Sequence, residues 1–342
     1  MTESLAAHTT FGLGGAAKRW LQPTTEAELI DAVTAADDAH EPVLLLGGGS
    51  NVLVADAGFD GTVIHTGALR GVRTEDVAAC SGAFITAAAG EPWDDFVAAT
   101  VAQRQVGIEA LSGIPGYVGA APVQNIGAYG QEVADTIARV RTWDRERRQV
   151  RTHSVAECGF GYRLSRFKQQ PNRWVVLSVS FQFALGDWSV PVRYAELARQ
   201  MGVSVGERAP LAQVRETVLA LRRSKGMVYD PADVDSHSAG SFFTNPILAP
   251  EQIPDGAPVF RQADGSAKTS AAWLIEHAGF GRGFQLRTAR VSTKHCLALT
   301  NPGRGTTADV VALAREIRDG VLRAYGITLE PEARLVGVSL DS

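Results

Sequence analysis

From Ser112 to Gly130 the chain runs for nineteen residues without a charge, and it places five glycines and two prolines in that span. A solvated loop of this length would carry charged side chains. Its polar groups are few beyond Ser112, Gln124, Asn125 and two tyrosines. Two readings fit such a segment: a tightly packed structural loop, or apolar, glycine-rich backbone lining a large flat ligand.

A second glycine signal precedes it. Val43-Leu44-Leu45-Leu46 is a short apolar run that predicts a buried strand, and Gly47-Gly48-Gly49-Ser50-Asn51 follows directly. Successive glycines let backbone N–H groups approach a phosphate with no Cβ in the way, and Ser50 and Asn51 add side-chain donors. The alternative is a plain strand-to-strand turn. Gly12-Leu13-Gly14-Gly15-Ala16-Ala17 matches the pattern of a dinucleotide-binding turn, but that fingerprint needs a buried strand just before it. Only Ala6–Phe11, with two threonines and a histidine, stands there, so an ordinary glycine turn is expected.

The rest of the chain reads as alternating helices and strands. Thr25-Glu26-Ala27-Glu28 is a capping box opening a helix, and Val52–Val54 and Thr62–Ile64 are further strands. Together they predict a small α/β unit over about residues 10–66. Ile85–Ala89 predicts a strand and Pro92–Gln103 a helix with proline in its first turn. Residues 140–143 and 149–151 predict a hairpin, and Trp174–Phe181 a strong strand. A mixed stretch from Ala184 to Pro210, with a short helix near Tyr194, marks the expected domain boundary. Leu211–Arg223, Lys268–His277 and Thr307–Tyr325 are predicted helices, and Gly226–Pro246 is a long turn-rich segment.

At 342 residues the chain suits more than one domain. Its formal net charge of −4 argues against a dominant nucleic-acid surface. No apolar run approaches the roughly 20 residues that span a bilayer, and the N-terminus lacks the basic and apolar regions of a secretory leader. A cytoplasmic protein is expected, with no membrane partner. Cys80, Cys158 and Cys296 are widely spaced and form no CxxC pair, so reduced buried thiols are expected rather than disulfides or zinc ligands. The sequence has no phosphate-binding GxxxxGK[ST] loop and no HExxH, and no metal site is expected.

These segments, taken together, resemble the UDP-N-acetylenolpyruvoylglucosamine reductase family. The resemblance is carried by Leu46–Leu53 and by Gly113-Ile-Pro-Gly116 with Gln124-Asn-Ile-Gly-Ala-Tyr-Gly130. It continues through Phe160–Lys168 and Ala239-Gly-Ser-Phe-Phe-Thr-Asn-Pro246, and ends with Leu329-Glu-Pro-Glu-Ala-Arg334. Five motifs in order cover essentially the whole chain. The resemblance implies an α+β protein: an FAD-binding domain pair of the vanillyl-alcohol-oxidase (PCMH-like) type plus a C-terminal α/β substrate-binding domain. The implied divisions are 1–66, 67–205 and 206–342, in a monomer.

The implied activity reduces the enolpyruvyl ether of UDP-N-acetylglucosamine to a lactyl ether, with non-covalent FAD as cofactor and NADPH as hydride donor. The implied flavin holders are Gly47, Gly48, Gly49, Ser50 and Asn51, then Ile114, Pro115, Gly116 and Gly119, then Gln124, Asn125, Gly127, Ala128 and Tyr129. Arg163 is implied as the catalytic cation, Ser241 as proton donor, and Glu332 as the third catalytic residue, with Glu330 as its rival. Tyr129, Tyr162, Tyr194, Lys225, Asn245 and His295 are implied on the substrate side. Departures from the family pattern stand at Thr244, a position often basic, and at His295, where a glutamine is common. The segment between Lys225 and Ser241 is about four residues longer than the pattern. A flavin-dependent sugar or alcohol oxidase on the same scaffold, and a non-enzymatic UDP-sugar binding module, are the competing functions.

Overall fold

The computed structural model describes residues 3–78 and 80–341; Met1, Thr2, Ala79 and Ser342 lie outside them, and with them the first two residues of the N-terminus read above as lacking a leader. The chain folds into two compact units. The first gathers Lys18–Gly48 and Asp60–Ser224; the second gathers residues 3–17, Gly49–Phe59 and residues 225–341.

In the first unit, helix α1 (Glu26–Asp38) opens where the capping box predicts. Thr25 Oγ1 accepts from Glu28 N at 3.2 Å, and Glu28 reaches back to Thr24 N at 2.7 Å. Leu29, Val33 and Ala36 recur on one face and are buried. Strand β1 (Val43–Leu46) runs parallel to β2 (Phe59–His65), with Val43 opposite Thr62 and Leu46 opposite His65. β1 delivers the chain to Gly47.

The larger sheet is antiparallel. Its main strands are β3 (Val72–Ala78), β4 (Gly82–Ala88), β5 (Ile137–Asp144), β6 (Gln149–Ser154) and β7 (Trp174–Leu185), in the order β6-β5-β7-β4-β3, and the short strand Gln105–Val106 pairs with the end of β7. β7 is central and buried along most of its length, as its Val- and Phe-rich run dictates. β5 and β6 form the predicted hairpin, with Asp144 opposite Gln149. β3 carries no apolar alternation and was not predicted. It lies at the sheet edge with its side chains exposed, where Arg73, Glu75 and Asp76 suit a strand that must not recruit another.

Helix α2 (Trp93–Ala102) covers this sheet. Its Phe96 ring sits 5.0 Å from Phe181, and Trp93 Nε1 donates to Leu111 O at 3.0 Å. Helix α3 (Leu211–Ser224) buries Leu211, Val214, Val218 and Leu221, the last three in a smaller cluster with Val192 and Leu197.

The second unit has its own core. Helix α4 (Ala271–His277) is capped by Ser270. The predicted start at Lys268 is corrected: Ala267–Lys268 is a short strand between Ile247–Leu248 and Phe260–Arg261, because the Ser270 hydroxyl, not Lys268, takes the N-cap. Helix α5 (Thr307–Tyr325) matches its prediction, opened by a Thr306/Asp309 capping box and closed by Gly326 at φ 69°. Leu313, Ile317 and Val321 pack with Phe280, Phe242 and Phe243. Val52–Val54 runs parallel to Arg334–Val336, so the C-terminal segment completes the strand begun near residue 52.

Gly12 and Gly14 take φ 65° and 121°, and the element that follows is a strand, Ala16–Leu21, not a helix. This is a glycine turn, as expected. Cys158 and Cys296 are buried, and burial pushes both thiols up to about 12. Cys80 is exposed, which corrects the expectation for that residue. No helix among the described residues is long and apolar enough to cross a membrane.

Candidate active site

The two glycine segments meet backbone to backbone in the first unit. A Cβ on Gly48 would lie 2.8 Å from Gly116 Cα, so this approach is open only to glycine. A Cβ on Gly47 would meet nothing closer than Tyr117 Cδ2 at 3.6 Å and Ala120 Cβ at 3.9 Å. Gly47 therefore has room for a methyl group as far as the protein is concerned. A side-chain-free floor built from both segments is what a dinucleotide pyrophosphate requires, and the residues present fit FAD on this ground.

The long uncharged segment is anchored rather than loose. Gly113 N donates to Asp94 Oδ1 at 2.6 Å, and the same carboxylate takes both Arg215 guanidinium bonds, at 2.6 and 2.9 Å. Burial would raise the Asp94 carboxyl, but the Arg215 and Gly113 donors outweigh it and hold it below its usual range. Gly116 O caps α2 by accepting from Trp93 N at 3.0 Å. Gly119 N donates to Ala89 O at 2.8 Å, and a Cβ there would come 2.5 Å from Ala89 Cβ. Ile114, Pro115, Gln124 and Ala128 are half-buried, and Ala128 pairs with Gln131 in a short hairpin.

Three of the seven non-glycine residues with left-handed φ among the described residues fall here: Asn125 at 46°, Tyr129 at 49° and Arg163 at 51°. Each costs on the order of 1 kcal/mol and persists only where surroundings over-determine it. Arg163 stands in the turn 161–164, closed by bonds between Gly161 and Leu164 in both directions. Its guanidinium donates to Gly127 O at 2.8 Å and lies over the Tyr162 ring at 5.4 Å. Tyr129 meets Tyr194 edge-on at 5.4 Å, and Tyr194 caps the short helix Ala195–Met201.

Arg222, near the end of α3, was not singled out as a site residue. Burial lowers its guanidinium to about 10, against the opposing pull of Tyr129 and Asp94, and the charge of Arg163 acts in the same direction as burial. Tyr129 is pushed up to about 12, by burial first. At neutral pH the two are a cation and a neutral phenol. The sequence signal was the run Arg222-Arg223-Ser224-Lys225, which also fits an exposed helix end; only burial distinguishes the readings.

In the second unit, Ser241 and Glu332 are carried on neighbouring extended segments. Ser241 bridges Ala298, Phe243 bridges Pro331, and Glu332 N donates to Phe242 O at 2.7 Å. Phe242 and Phe243 are buried, which fixes the register of the segment. Glu330 uses its carbonyl to hold Thr244 N at 3.0 Å. Asn51 Nδ2 donates to Glu332 O at 3.3 Å, and Asn51 O accepts from Arg334 N at 3.0 Å. Gly49 has φ 61°, and a Cβ would fall 1.8 Å from His8 O. Ser50 is half-buried beside it.

Asn245 caps α4 through Oδ1 and Ala271 N at 2.9 Å. His295 N donates to the Ser292 hydroxyl at 3.3 Å. Lys225 directly precedes Gly226, whose φ of 65° turns the chain against Asp235. The longer 226–240 segment is folded, not slack. Asp235 accepts from Thr293 N at 2.9 Å and Oγ1 at 2.6 Å, and Lys294 bonds Asp233 at 2.7 Å. Arg163 belongs to the first unit; Ser241, Glu332, Lys225, Asn245 and His295 belong to the second.

Two family models match the chain: "UDP-N-acetylenolpyruvoylglucosamine reductase, C-terminal domain" over residues 230–336, and "FAD binding domain" over residues 17–153. A UDP-N-acetylenolpyruvoylglucosamine reductase of Cutibacterium acnes is 56% identical over 98% of this chain and 90% of its own length. One of Streptomyces coelicolor is 52% identical, again over 98% and 90%. The crystal structure of the corresponding reductase from Thermus caldophilus superposes with a TM-score of 0.68 over 98% of both chains; at 24% identity this supports the fold.

Proposed function

Because the chain belongs to the UDP-N-acetylenolpyruvoylglucosamine reductase family of FAD-dependent oxidoreductases, we propose that it reduces UDP-N-acetylglucosamine enolpyruvate to UDP-N-acetylmuramate, a peptidoglycan precursor, at the expense of NADPH. The observation that carries the catalytic assignment is the Glu332–Phe242 bond, which sets Ser241 and Glu332 on adjacent segments.

Gly47, Gly48, Gly49, Ser50 and Asn51 would hold the cofactor diphosphate. The segment from Ile114 to Tyr129 would line the flavin, with Pro115, Gly116, Gly119, Gln124, Gly127 and Ala128 in it, while Asn125 turns its side-chain amide into the protein. When bound, FAD supplies the hydride for the enolpyruvyl methylene and is recharged by NADPH. Negative charge then builds on the carbon next to the substrate carboxylate. Arg163 opposes it, because a guanidinium grips a carboxylate through two parallel bonds and stays cationic. The Ser241 hydroxyl donates the proton to that carbon. It is a weak acid, sufficient only because the accepting carbanion or enolate is strongly basic in a site shielded from water. Glu332 hydrogen-bonds the charged species and keeps it in place.

Lys225 offers a cation to the UDP diphosphate, and Tyr194, with Tyr129 against it, closes over the uridyl end. Tyr162, Asn245 and His295 complete the substrate side. We assign 1–66 and 67–205 to the two halves of the flavin-binding region and 206–342 to the substrate-binding region, in a cytoplasmic monomer.

Anaerobic half-reactions test this. In Ser241→Ala, NADPH should bleach the flavin at the wild-type rate, while reoxidation by the enolpyruvyl substrate should fall by at least about a hundredfold. If both half-reactions stay fast, Ser241 is not the proton donor.

A further inference from the structure

The turn that carries Arg163 is held from outside by a side chain that the sequence suggested for cofactor contact. Asn125 is 1% exposed, and its amide is committed within the protein. Nδ2 donates twice, to Glu132 Oε2 at 2.7 Å and to Gly161 O at 3.1 Å. Oδ1 accepts from Ala134 N at 3.1 Å. Gly161 is the first residue of the turn that presents Arg163.

Glu132 is itself fixed. It lies opposite Gly127 in the short hairpin, and its N–H donates to Asp135 Oδ2 at 3.1 Å. Gly127 is also the residue whose carbonyl receives the Arg163 guanidinium. Arg163 is thus tied to one hairpin at two points: its turn through Glu132–Asn125–Gly161, and its charged head through Gly127. A side chain at 125 must donate two bonds and accept one from a buried, left-handed position, which an asparagine amide does and a carboxylate does not.

We infer that Asn125 and Glu132 form a positioning pair that aims Arg163. This rests on the reading of Arg163 as the cation facing the substrate carboxylate. Asn125 and Glu132 act through the turn and need touch neither substrate nor flavin.

Asn125→Asp, Glu132→Ala and Glu132→Gln test it. Asn125→Asp sets a carboxyl of the same shape against Glu132. When both are ionised they repel and Gly161 O has no donor; one shared proton restores the bond between the two carboxyls and removes the repulsion, but leaves Gly161 O without its donor. Reoxidation of the reduced enzyme by the enolpyruvyl substrate should fall about tenfold at about pH 8 and recover in part toward about pH 6. Flavin reduction by NADPH should keep its wild-type pH profile. Glu132→Ala should lose about tenfold in reoxidation, while Glu132→Gln, which still presents an acceptor to Asn125 Nδ2, should stay within about threefold of wild type.

Amide hydrogen exchange over 160–165 gives a readout independent of turnover. It should rise in Glu132→Ala, and in Asn125→Asp at the higher pH, but not in Glu132→Gln. An equal loss in both half-reactions, or a wild-type pH profile in Asn125→Asp, overturns the pair. Should Asn125→Asp fail to fold, the two Glu132 variants decide, and equal behaviour of Ala and Gln overturns it. Arg163→Ala isolates the underlying reading: if reoxidation survives that change, the role of Arg163 falls, whatever exchange over 160–165 says about the clamp.

Discussion

Adding one methyl group at Gly47 and one at Gly48 separates what the glycines do for the scaffold from what they do for the cofactor. At Gly48 the new Cβ would stand 2.8 Å from Gly116 Cα, about 0.6 Å inside the 3.4 Å at which contacts become ordinary. The neighbour is backbone, itself tied to α2 through Trp93 N, and it cannot rotate away. Overpacking of this kind costs about 1–3 kcal/mol. A chain of this size should then lose about 1.5 °C in Tm per kcal/mol. At Gly47 the nearest atoms are 3.6 and 3.9 Å away, which is ordinary contact. Gly47→Ala should leave the Tm of the flavin-free protein within about 1 °C of wild type. If a phosphate occupies that space, however, FAD affinity should drop by more than about tenfold. Calorimetric titration of flavin-free protein with FAD, beside thermal unfolding without it, gives both numbers for each variant. Wild-type FAD affinity in Gly47→Ala would refute the phosphate cradle. Equal destabilisation of the flavin-free protein by both variants would refute the steric argument.

Gly127→Ala should slow reoxidation by substrate about tenfold and flavin reduction by NADPH less, because its Cβ would press within 3.0 Å of Gln131 O and 3.1 Å of the Arg163 guanidinium; rapid mixing of each half-reaction checks this. His153 gives a pH prediction. Burial first, then Arg151 and Arg166, depress its ring to about 4, and it packs neutral between Trp174 at 4.7 Å and Phe167 at 5.4 Å. Between pH 6.5 and about 4 the unfolded chain binds the proton that the folded chain refuses. The stabilisation is therefore full above the unfolded value and is lost as pH falls, by at most about 1.4 kcal/mol per pH unit. His153→Gln, which keeps a polar group for Thr142, should flatten urea-derived stability against pH by up to that slope; an unchanged slope counts against it. Asp94→Ala should free both Arg215 and Gly113, cost about 1–2 kcal/mol in urea unfolding because the half-exposed pair is screened by solvent, and loosen flavin retention on dialysis, whereas a loss of stability with full retention would unlink Asp94 from the flavin segment.

Local chemistry made much of the architecture legible in advance. The Thr25 side-chain cap, the Thr306/Asp309 capping box and the apolar stripe of α5 set their helices by contacts within one or two turns. The Val- and Phe-rich run of β7 did the same for the centre of the sheet. Strand β3 escaped because an edge strand with both faces exposed has no alternation to read. Lys268 was misread because a strand ending in a polar cap can look like the first turn of a helix.

For the site, the division runs along sequence distance. The glycine segments were recognisable alone, since absence of charge and of Cβ atoms is a property of composition. Their contact at Gly48 and Gly116 joins residues 68 positions apart and required the fold. Ser241 and Glu332 could be named from their motifs, but the single Glu332–Phe242 bond that sets them on neighbouring segments spans nearly a hundred residues. Asn125 read as one more polar group in an apolar loop. Only tertiary structure gave its amide three protein partners on separate turns, because hydrogen-bond geometry is decided by where the chain returns and not by which residues stand beside it. The sequence by itself determined that backbone in this chain could approach a flat ligand; the tertiary structure decided which backbone meets which, and what the Arg163 turn is tied to.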